Sequence, residues 1–140
     1  MRKDLIYPDE CYKLVGACFE VYKEKGAGFA EMLYHECLEL EFKLQGIIAV
    51  HEPQLELAYK GHKLRQKFIP DFICYGKIVI EIKAQDHLTN VHRAQLQNYL
   101  RATGHKLGIL ANFGHTPGLE WERIVLSEPK TQSQNPPALQ

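Results

Sequence analysis

Two acidic side chains and a lysine flank a short turn, and their spacing could bring them together on one face of a β-sheet. Asp71 and Glu81 lie on either side of residues 75–77, Tyr-Gly-Lys, a sequence typical of a three-residue hairpin loop. Counting outward from this loop places Asp71 opposite Glu81, with Cβ atoms about 5 Å apart. Lys83 is two residues beyond Glu81, so it points to the same face.

Such a carboxylate pair calls for a cation. The two charges repel each other, and burial on a sheet face removes the water that would screen them. Lys83 supplies one positive charge, and a divalent ion would supply two more. Oxygen ligands with open water positions suit Mg²⁺ or Mn²⁺. Taken alone, Glu-x-Lys also fits a solvated, salt-bridged strand face. Glu31, on a predicted helix, would complete an acidic pocket if that helix packs here.

The order of these residues resembles the signature of a known superfamily. Pro70-Asp71 followed by Glu81-Ile82-Lys83 is similar to the PD-(D/E)XK nuclease signature. A later predicted helix carries Gln95 and Tyr99, spaced as in the Q-x-x-x-Y helix of RecB-type members. Upstream, residues 28–34 read Gly-Phe-Ala-Glu-Met-Leu-Tyr and match the motif that names the GxxExxY proteins. The similarity extends over nearly all of the chain outside its C-terminal tail.

This resemblance implies a metal-dependent nuclease, with DNA as the expected substrate and RNA left open. Asp71 and Glu81 would ligate Mg²⁺ or Mn²⁺, and the main-chain carbonyl of Ile82 would be a further ligand. Glu31 would bind the ion or a water on it. Lys83 would orient the attacking water and offset transition-state charge. The ion would lower the pKa of the water and polarise the scissile phosphate.

The resemblance also implies supporting roles near the ligands. Gln95 and Tyr99 share one helical face and would orient the acidic residues, Lys83 or a substrate phosphate. His92 and Tyr34 would support the site without touching the ion. The alternatives are ordinary: Tyr99 as a core aromatic, His92 as a partly exposed helix residue, and Tyr34 as plain packing.

Basic residues could bind nucleic acid around this acidic centre. Lys63, Arg65 and Lys67 alternate along one predicted strand and so share a face. With Arg93 of the later helix they could form a phosphate-binding rim. The alternative is an ordinary solvated strand edge, where lysine discourages aggregation.

Overall charge leaves a second function open. Lys+Arg and Asp+Glu both total 17, which argues against a strongly basic coat protein for nucleic acid. A catalytically silent module that binds nucleic acid or protein is therefore the alternative function. Because 140 residues give little surface to grip a duplex, a homodimer or a protein partner is also possible.

Hydrophobic periodicity predicts the elements that position these residues. Helices are expected at about 8–25, 30–44 and 90–102, and a region of period-two hydrophobicity lies between the second and third. The predicted order is α-α-β-β-β-α-β-β, an α/β fold with a mixed sheet flanked by helices, as in a restriction-endonuclease-like core. The expected core stripe of the first helix is Cys11, Leu14, Val15, Cys18, Phe19 and Tyr22, and that of the second is Leu33, Cys37, Leu40 and Leu44.

The remaining predictions concern the whole chain. Its length predicts one domain over residues 1–127, followed by a polar, disordered tail at 128–140. No apolar run is long enough to span a membrane, and the N-terminus lacks an apolar signal core, so we expect a cytoplasmic protein. The four cysteines are expected to be buried thiols in a reducing compartment.

Overall fold

A computed structural model describes residues 6–127, so the predicted tail at 128–140 lies outside the described residues. This part of the chain contains three α-helices and seven β-strands. The helices are α1 (Pro8–Lys25), α2 (Glu31–Gln45) and α3 (Asn90–Thr103). The strands are β1 (Ala49–His51), β2 (Leu55–Tyr59), β3 (His62–Phe68), β4 (Phe72–Cys74), β5 (Ile78–Lys83), β6 (Leu107–Asn112) and β7 (Glu120–Val125).

Five strands form a mixed sheet in the order β1-β4-β5-β6-β7. The β5 and β6 strands pair in parallel, and the other neighbours are antiparallel. A parallel pair needs a crossover connection, and α3 supplies it. The β2 and β3 strands form a separate two-stranded hairpin, whose Lys60-Gly61 turn has the positive φ angles that a tight hairpin turn requires.

Each face of the sheet is covered by different elements. Because side chains alternate along a strand, β5 sends Ile80 and Ile82 to the face packed by α1 and α2. Val79 points the other way, into a cluster with α3 and the β2–β3 hairpin. Glu81 and Lys83 have the same parity as Val79, so they lie on the α3 face.

The predicted fold class is confirmed, but the strand count is not. Five strands, not three, separate α2 from α3. The β1 strand, Ala49–His51, has only three residues, each half-buried or exposed. A strand that short shows no readable alternation, so its pairing with β4 was not predicted.

The predicted core stripe of α2 is correct in part: Leu33 and Cys37 are half-buried against the core, but the other two residues are not. Leu40 and Leu44 are 57% and 72% exposed, and the buried side chains are Tyr34, His35, Leu38 and Phe42. The helix carries two apolar stripes, and the stripe that includes Tyr34, Leu38 and Phe42 packs on the sheet. In α1, Phe19 is likewise exposed and Val21 is buried in its place.

The predicted burial of the cysteines is confirmed for three of the four. All four cysteines are free thiols, and Cys11, Cys18 and Cys74 are buried, whereas Cys37 is half-buried. Within residues 6–127, the helices lack the combination of length and apolar character that crossing a bilayer requires.

Candidate active site

The β4–β5 hairpin brings Asp71 and Glu81 together. Its register pairs Phe72 with Ile80, so the next residues outward are Asp71 and Glu81. The Asp71 N–H donates to Glu81 Oε2 at 3.3 Å, and the Ile82 N–H donates to Asp71 Oδ2 at 2.6 Å. These bonds fix both carboxylates at the end of the hairpin. A role for the Ile82 carbonyl as a metal ligand stays a prediction.

The first two turns of α2 add two more side chains, Glu31 and His35. Gly28, at φ 111°, has a backbone conformation that suits glycine, and it precedes the start of α2 at Glu31. One turn later, His35 Nε2 lies 3.5 Å from Glu31 Oε2 and 3.6 Å from Asp71 Oδ2. Glu31, His35 and Asp71 thus meet next to the start of β4.

The imidazole of His35 is the unusual member of this group. Its residue is 2% exposed, and within residues 6–127 its Nε2 has no hydrogen-bond partner. Its Nδ1 is 2.9 Å from His51 Nε2. Glu31, His35 and Asp71 each offer one atom that could ligate a metal, and these three atoms all lie within 4.8 Å of one another. Buried polar atoms normally have partners, so an unbonded nitrogen that faces two carboxylates fits a divalent cation.

The carboxyl groups are electrostatically crowded. Burial, followed by the neighbouring charge of Asp71, raises the pKa of Glu81 from 4.5 to about 8. Burial also raises the pKa of Asp71, although the Ile82 N–H and His35 act in the opposite direction. Ionisation of both carboxyl groups at once is unfavourable, and a cation between them would offset this cost. Glu81 adjoins Asp71 but is outside the group of three close donors.

Lys83 and His92 lie on the same side of the sheet. The charge of Lys83 lowers the pKa of both Asp71 and Glu81 without overcoming burial. Burial, and then the charge of Lys83, lower the pKa of His92. The His92 Nδ1 accepts from the Thr89 N–H at 3.1 Å, in a capping box at the start of α3. His92 therefore caps a helix close to Lys83.

Gln95 and Tyr99 contact each other on α3. The Gln95 Nε2 donates to the Tyr99 hydroxyl at 3.4 Å. The Tyr99 ring stacks on Phe68, with centroids 3.9 Å apart and planes at 13°. In the described part of the chain, neither side chain hydrogen-bonds to Lys83 or to an acidic residue of the site. Tyr99 thus joins α3 to the β2–β3 hairpin, and its predicted role in catalysis stays a prediction.

Tyr34 contacts a loop rather than Glu31. Its hydroxyl donates to the Gly26 carbonyl at 2.6 Å and accepts from the Phe29 N–H at 3.1 Å. The fully buried ring stacks on Phe113 at 4.8 Å. These contacts fix the connection between α1 and α2, which favours the packing interpretation of Tyr34.

The basic residues are partly neutralised. Lys63, Arg65 and Lys67 are exposed along β3, but Lys63 Nζ lies 2.9 Å from Glu56 Oε2, and Lys67 pairs with Glu56 in the ladder. The guanidinium of Arg93 donates to both carboxylate oxygens of Glu122, at 2.7 and 2.5 Å. Arg93 is therefore held by an acidic partner, and Arg65 has the least neutralised charge of the four.

Sequence reasoning missed two histidines at this site. His35 is four residues after Glu31 on α2, a spacing that could have indicated a shared position. His51 had no such signal, because it lies on the unpredicted strand β1.

Comparisons with known proteins bear on this arrangement. A family model described as the PD-(D/E)XK nuclease superfamily matches residues 8–124. Among solved structures, the crystal structure of SSO0001 is similar, with a TM-score of 0.56 and 26% sequence identity. The match covers 70% of this chain and 50% of that one, so the chain spans about half the length of that structure. A comparison with curated protein sequences finds no match.

Proposed function

The chain belongs to the PD-(D/E)XK nuclease superfamily, and from this premise we propose that it is a nuclease that cleaves DNA with Mn²⁺ or Mg²⁺. The observation that carries the proposal is the meeting of Glu31, His35 and Asp71 within 4.8 Å, next to Glu81. Packing alone does not account for two carboxylates, from α2 and from the start of β4, that converge on the buried, unbonded nitrogen of His35.

These residues fit a divalent ion. Glu31, His35 and Asp71 would hold it, with Glu81 close to Asp71. A set that includes imidazole favours Mn²⁺ over Mg²⁺, because Mg²⁺ prefers oxygen ligands. When bound, the ion would lower the pKa of a water and polarise a phosphate oxygen.

Lys83 is the cationic member of the proposed site. It lies on the same sheet face as Glu81, on the central strand of the five-stranded sheet. A fixed cation there would bind a phosphate oxygen and stabilise the negative charge that develops during hydrolysis. It would also orient the attacking water.

The finer assignments rest on the motifs. We place the chain among the GxxExxY proteins because residues 28–34 carry that motif, and next to RecB-type members because of Gln95 and Tyr99. The exposed basic strand β3 supports a nucleic-acid substrate. A second copy or a protein partner would extend that small surface. The free thiols are typical of a reducing compartment, which supports a cytoplasmic location.

Cleavage of DNA in the presence of Mn²⁺ tests the proposal. We expect the natural chain to cleave and Asp71→Asn to lose cleavage by at least about 100-fold, because Asp71 is central to the ligand group. Asp9→Asn, at an exposed position in the first turn of α1, is the matched control and should cleave normally. Equal cleavage by Asp71→Asn and the natural chain would refute the proposal. Salt-dependent binding without cleavage under any metal would favour the silent binding module.

A further inference from the structure

Two loops meet at the carboxyl ends of β5 and β6. One spans residues 84–89 and the other spans residues 113–119. A Cβ built on Gly114 would lie 2.5 Å from the backbone nitrogen of Gln85, so the two backbones touch where only glycine fits. The loops therefore have a fixed spacing.

Asn112 joins both loops to β7. Its side chain is fully buried, and its Oδ1 accepts from the N–H groups of Gln85 at 2.9 Å and Gly114 at 3.1 Å. Its Nδ2 donates to Glu120 Oε1 at 3.0 Å. One buried amide thus orients the Glu120 carboxylate relative to both loops.

Glu120 is held as an anion, and the hydrogen bonds from Asn112 and Leu88 both go to one of its two carboxylate oxygens. Its Oε1 also accepts from the Leu88 N–H at 2.9 Å. Burial acts to raise the pKa of Glu120, but the bonds from Asn112 and Leu88, together with His115 and His87, bring it below its ordinary value. Carboxylates that ligate metals are commonly oriented by such hydrogen bonds.

Each loop contributes one histidine next to this carboxylate. The rings of His87 and His115 have centroids 5.7 Å apart. The His115 Nδ1 is 2.7 Å from the Gly118 carbonyl, which can only accept, so Nδ1 carries the proton and Nε2 keeps its lone pair. A backbone carbonyl bound to the other ring nitrogen is the usual arrangement of a metal-binding histidine.

We propose that His87, His115 and Glu120 form a second metal site, separate from the Asp71 site, for a divalent transition-metal ion such as Zn²⁺. Donor atoms of the three residues lie within 4.8 Å of one another. Two imidazoles and a carboxylate suit Zn²⁺ and leave one tetrahedral position for water. The two imidazoles disfavour Mg²⁺ at this site, because Mg²⁺ prefers oxygen ligands.

The position of this site in the sheet gives it a structural effect. Lys83 pairs with Asn112, and Asn112 pairs with Glu120, so Glu120 is two strands, about 10 Å, from Lys83. A bound ion would tie together the two loops that leave β5 and β6. The loop after β5 begins one residue beyond Lys83, so the ion would steady the backbone next to that side chain.

Histidine side-chain NMR during a Zn²⁺ titration tests this site. The protein is ¹⁵N-labelled and carries Asp71→Asn, so that the first site is weakened and the outcome does not depend on nuclease activity. We expect the ring nitrogens of His87 and His115 to shift and to saturate near one equivalent of Zn²⁺. Rings that do not move in excess Zn²⁺ would overturn the proposal.

Affinity measurements on variants complete the test. His87 is exposed, so His87→Ala should fold normally, and we expect it to weaken Zn²⁺ binding at least about tenfold. Glu120→Gln keeps an oxygen acceptor for Asn112 and Leu88, and we expect a similar loss. His105→Ala, at the opposite end of β6, is the control and should bind Zn²⁺ normally. Unchanged affinity in both test variants would overturn the proposal.

Discussion

The buried Nε2 of His35 lies 3.6 Å from Oδ2 of Asp71, the same oxygen that accepts the Ile82 N–H. One carboxylate oxygen therefore faces both a strand amide and an imidazole from α2, the helix that packs on the sheet. Through this oxygen, the position of α2 is linked to the end of the β4–β5 hairpin, and both elements shape the same proposed metal site.

Removing the imidazole should weaken the first metal site. We expect His35→Gln to bind Mn²⁺ about 10- to 100-fold more weakly, because a donor atom is lost and the carboxylates lose an oriented neighbour. Isothermal titration calorimetry would measure the affinity. His62→Gln, on the exposed hairpin, is the control. Unaltered Mn²⁺ affinity in His35→Gln would show that His35 is not a ligand.

The metal-free protein should lose stability as the pH rises. The pKa of Glu81 is about 8 in the fold and 4.5 as the ordinary value, so the folded state favours the protonated carboxyl. That contribution is fully present below pH 4.5 and is lost progressively as the pH rises through about 8. Each pKa unit is worth about 1.4 kcal/mol.

Glu81→Gln should therefore stabilise the protein at high pH. In EDTA at pH 8, we expect its Tm to exceed that of the natural chain by at least about 2 °C, with a smaller difference at pH 5. Thermal unfolding followed by circular dichroism measures both. Mn²⁺ should reduce the Tm difference between the variant and the natural chain, because it stabilises the ionised carboxylate of the natural chain. A Tm difference that grows towards low pH would contradict the raised pKa of Glu81.

Loss of the lysine should separate chemistry from metal binding. We expect Lys83→Ala to reduce Mn²⁺-dependent cleavage of DNA by at least about 100-fold, because a fixed charge near the reacting phosphate is removed. Its affinity for Mn²⁺ should stay near that of the natural chain. Lys60→Ala, in the hairpin turn, controls for the loss of one positive charge. Full cleavage by Lys83→Ala would remove Lys83 from the proposed mechanism.

Tyr34→Phe distinguishes packing from a role at the site. The hydroxyl makes two hydrogen bonds in the α1–α2 connection, so its loss should lower the free energy of unfolding by about 1–3 kcal/mol. Urea denaturation would measure this change. Cleavage well below the Tm should be unaffected. A stable Tyr34→Phe protein with little activity would instead support the predicted contribution of Tyr34 to the metal site.

Two arginines should differ in their contribution to DNA binding. Arg65 is exposed on β3, whereas Arg93 is bound to Glu122. We expect Arg65→Ala to reduce the slope of log affinity against log salt by about 1, and Arg93→Ala to leave the slope nearly unchanged. Fluorescence anisotropy at several salt concentrations would measure both slopes. Equal effects would show that the Glu122 pair opens on binding.

The sequence was informative where local chemistry determines structure. The Tyr75-Gly76-Lys77 loop sets the register of the β4–β5 hairpin, and that register alone places Asp71 next to Glu81. The third helix was predicted to within one residue, and the structure shows that Thr89 caps its start and Gly104 ends it.

Other features depended on contacts that a sequence does not display. Both stripes of α2 are apolar, so only packing against the sheet decides that Leu38 is buried and Leu40 is exposed. The same packing orientation of α2 places His35 at the site. The Glu122 partner of Arg93 comes from β7, 29 residues away in the chain. Pairing over such distances leaves no local pattern.

The β2–β3 hairpin shares no ladder with the five-stranded sheet, so side chains such as Phe68 and Tyr99 attach it to the domain. Backbone amides in this hairpin can thus exchange with solvent deuterium through a local opening that leaves the main sheet intact. The strand with the exposed Lys63, Arg65 and Lys67 can therefore move relative to the acidic centre, which is attached to the five-stranded sheet through the β4–β5 hairpin.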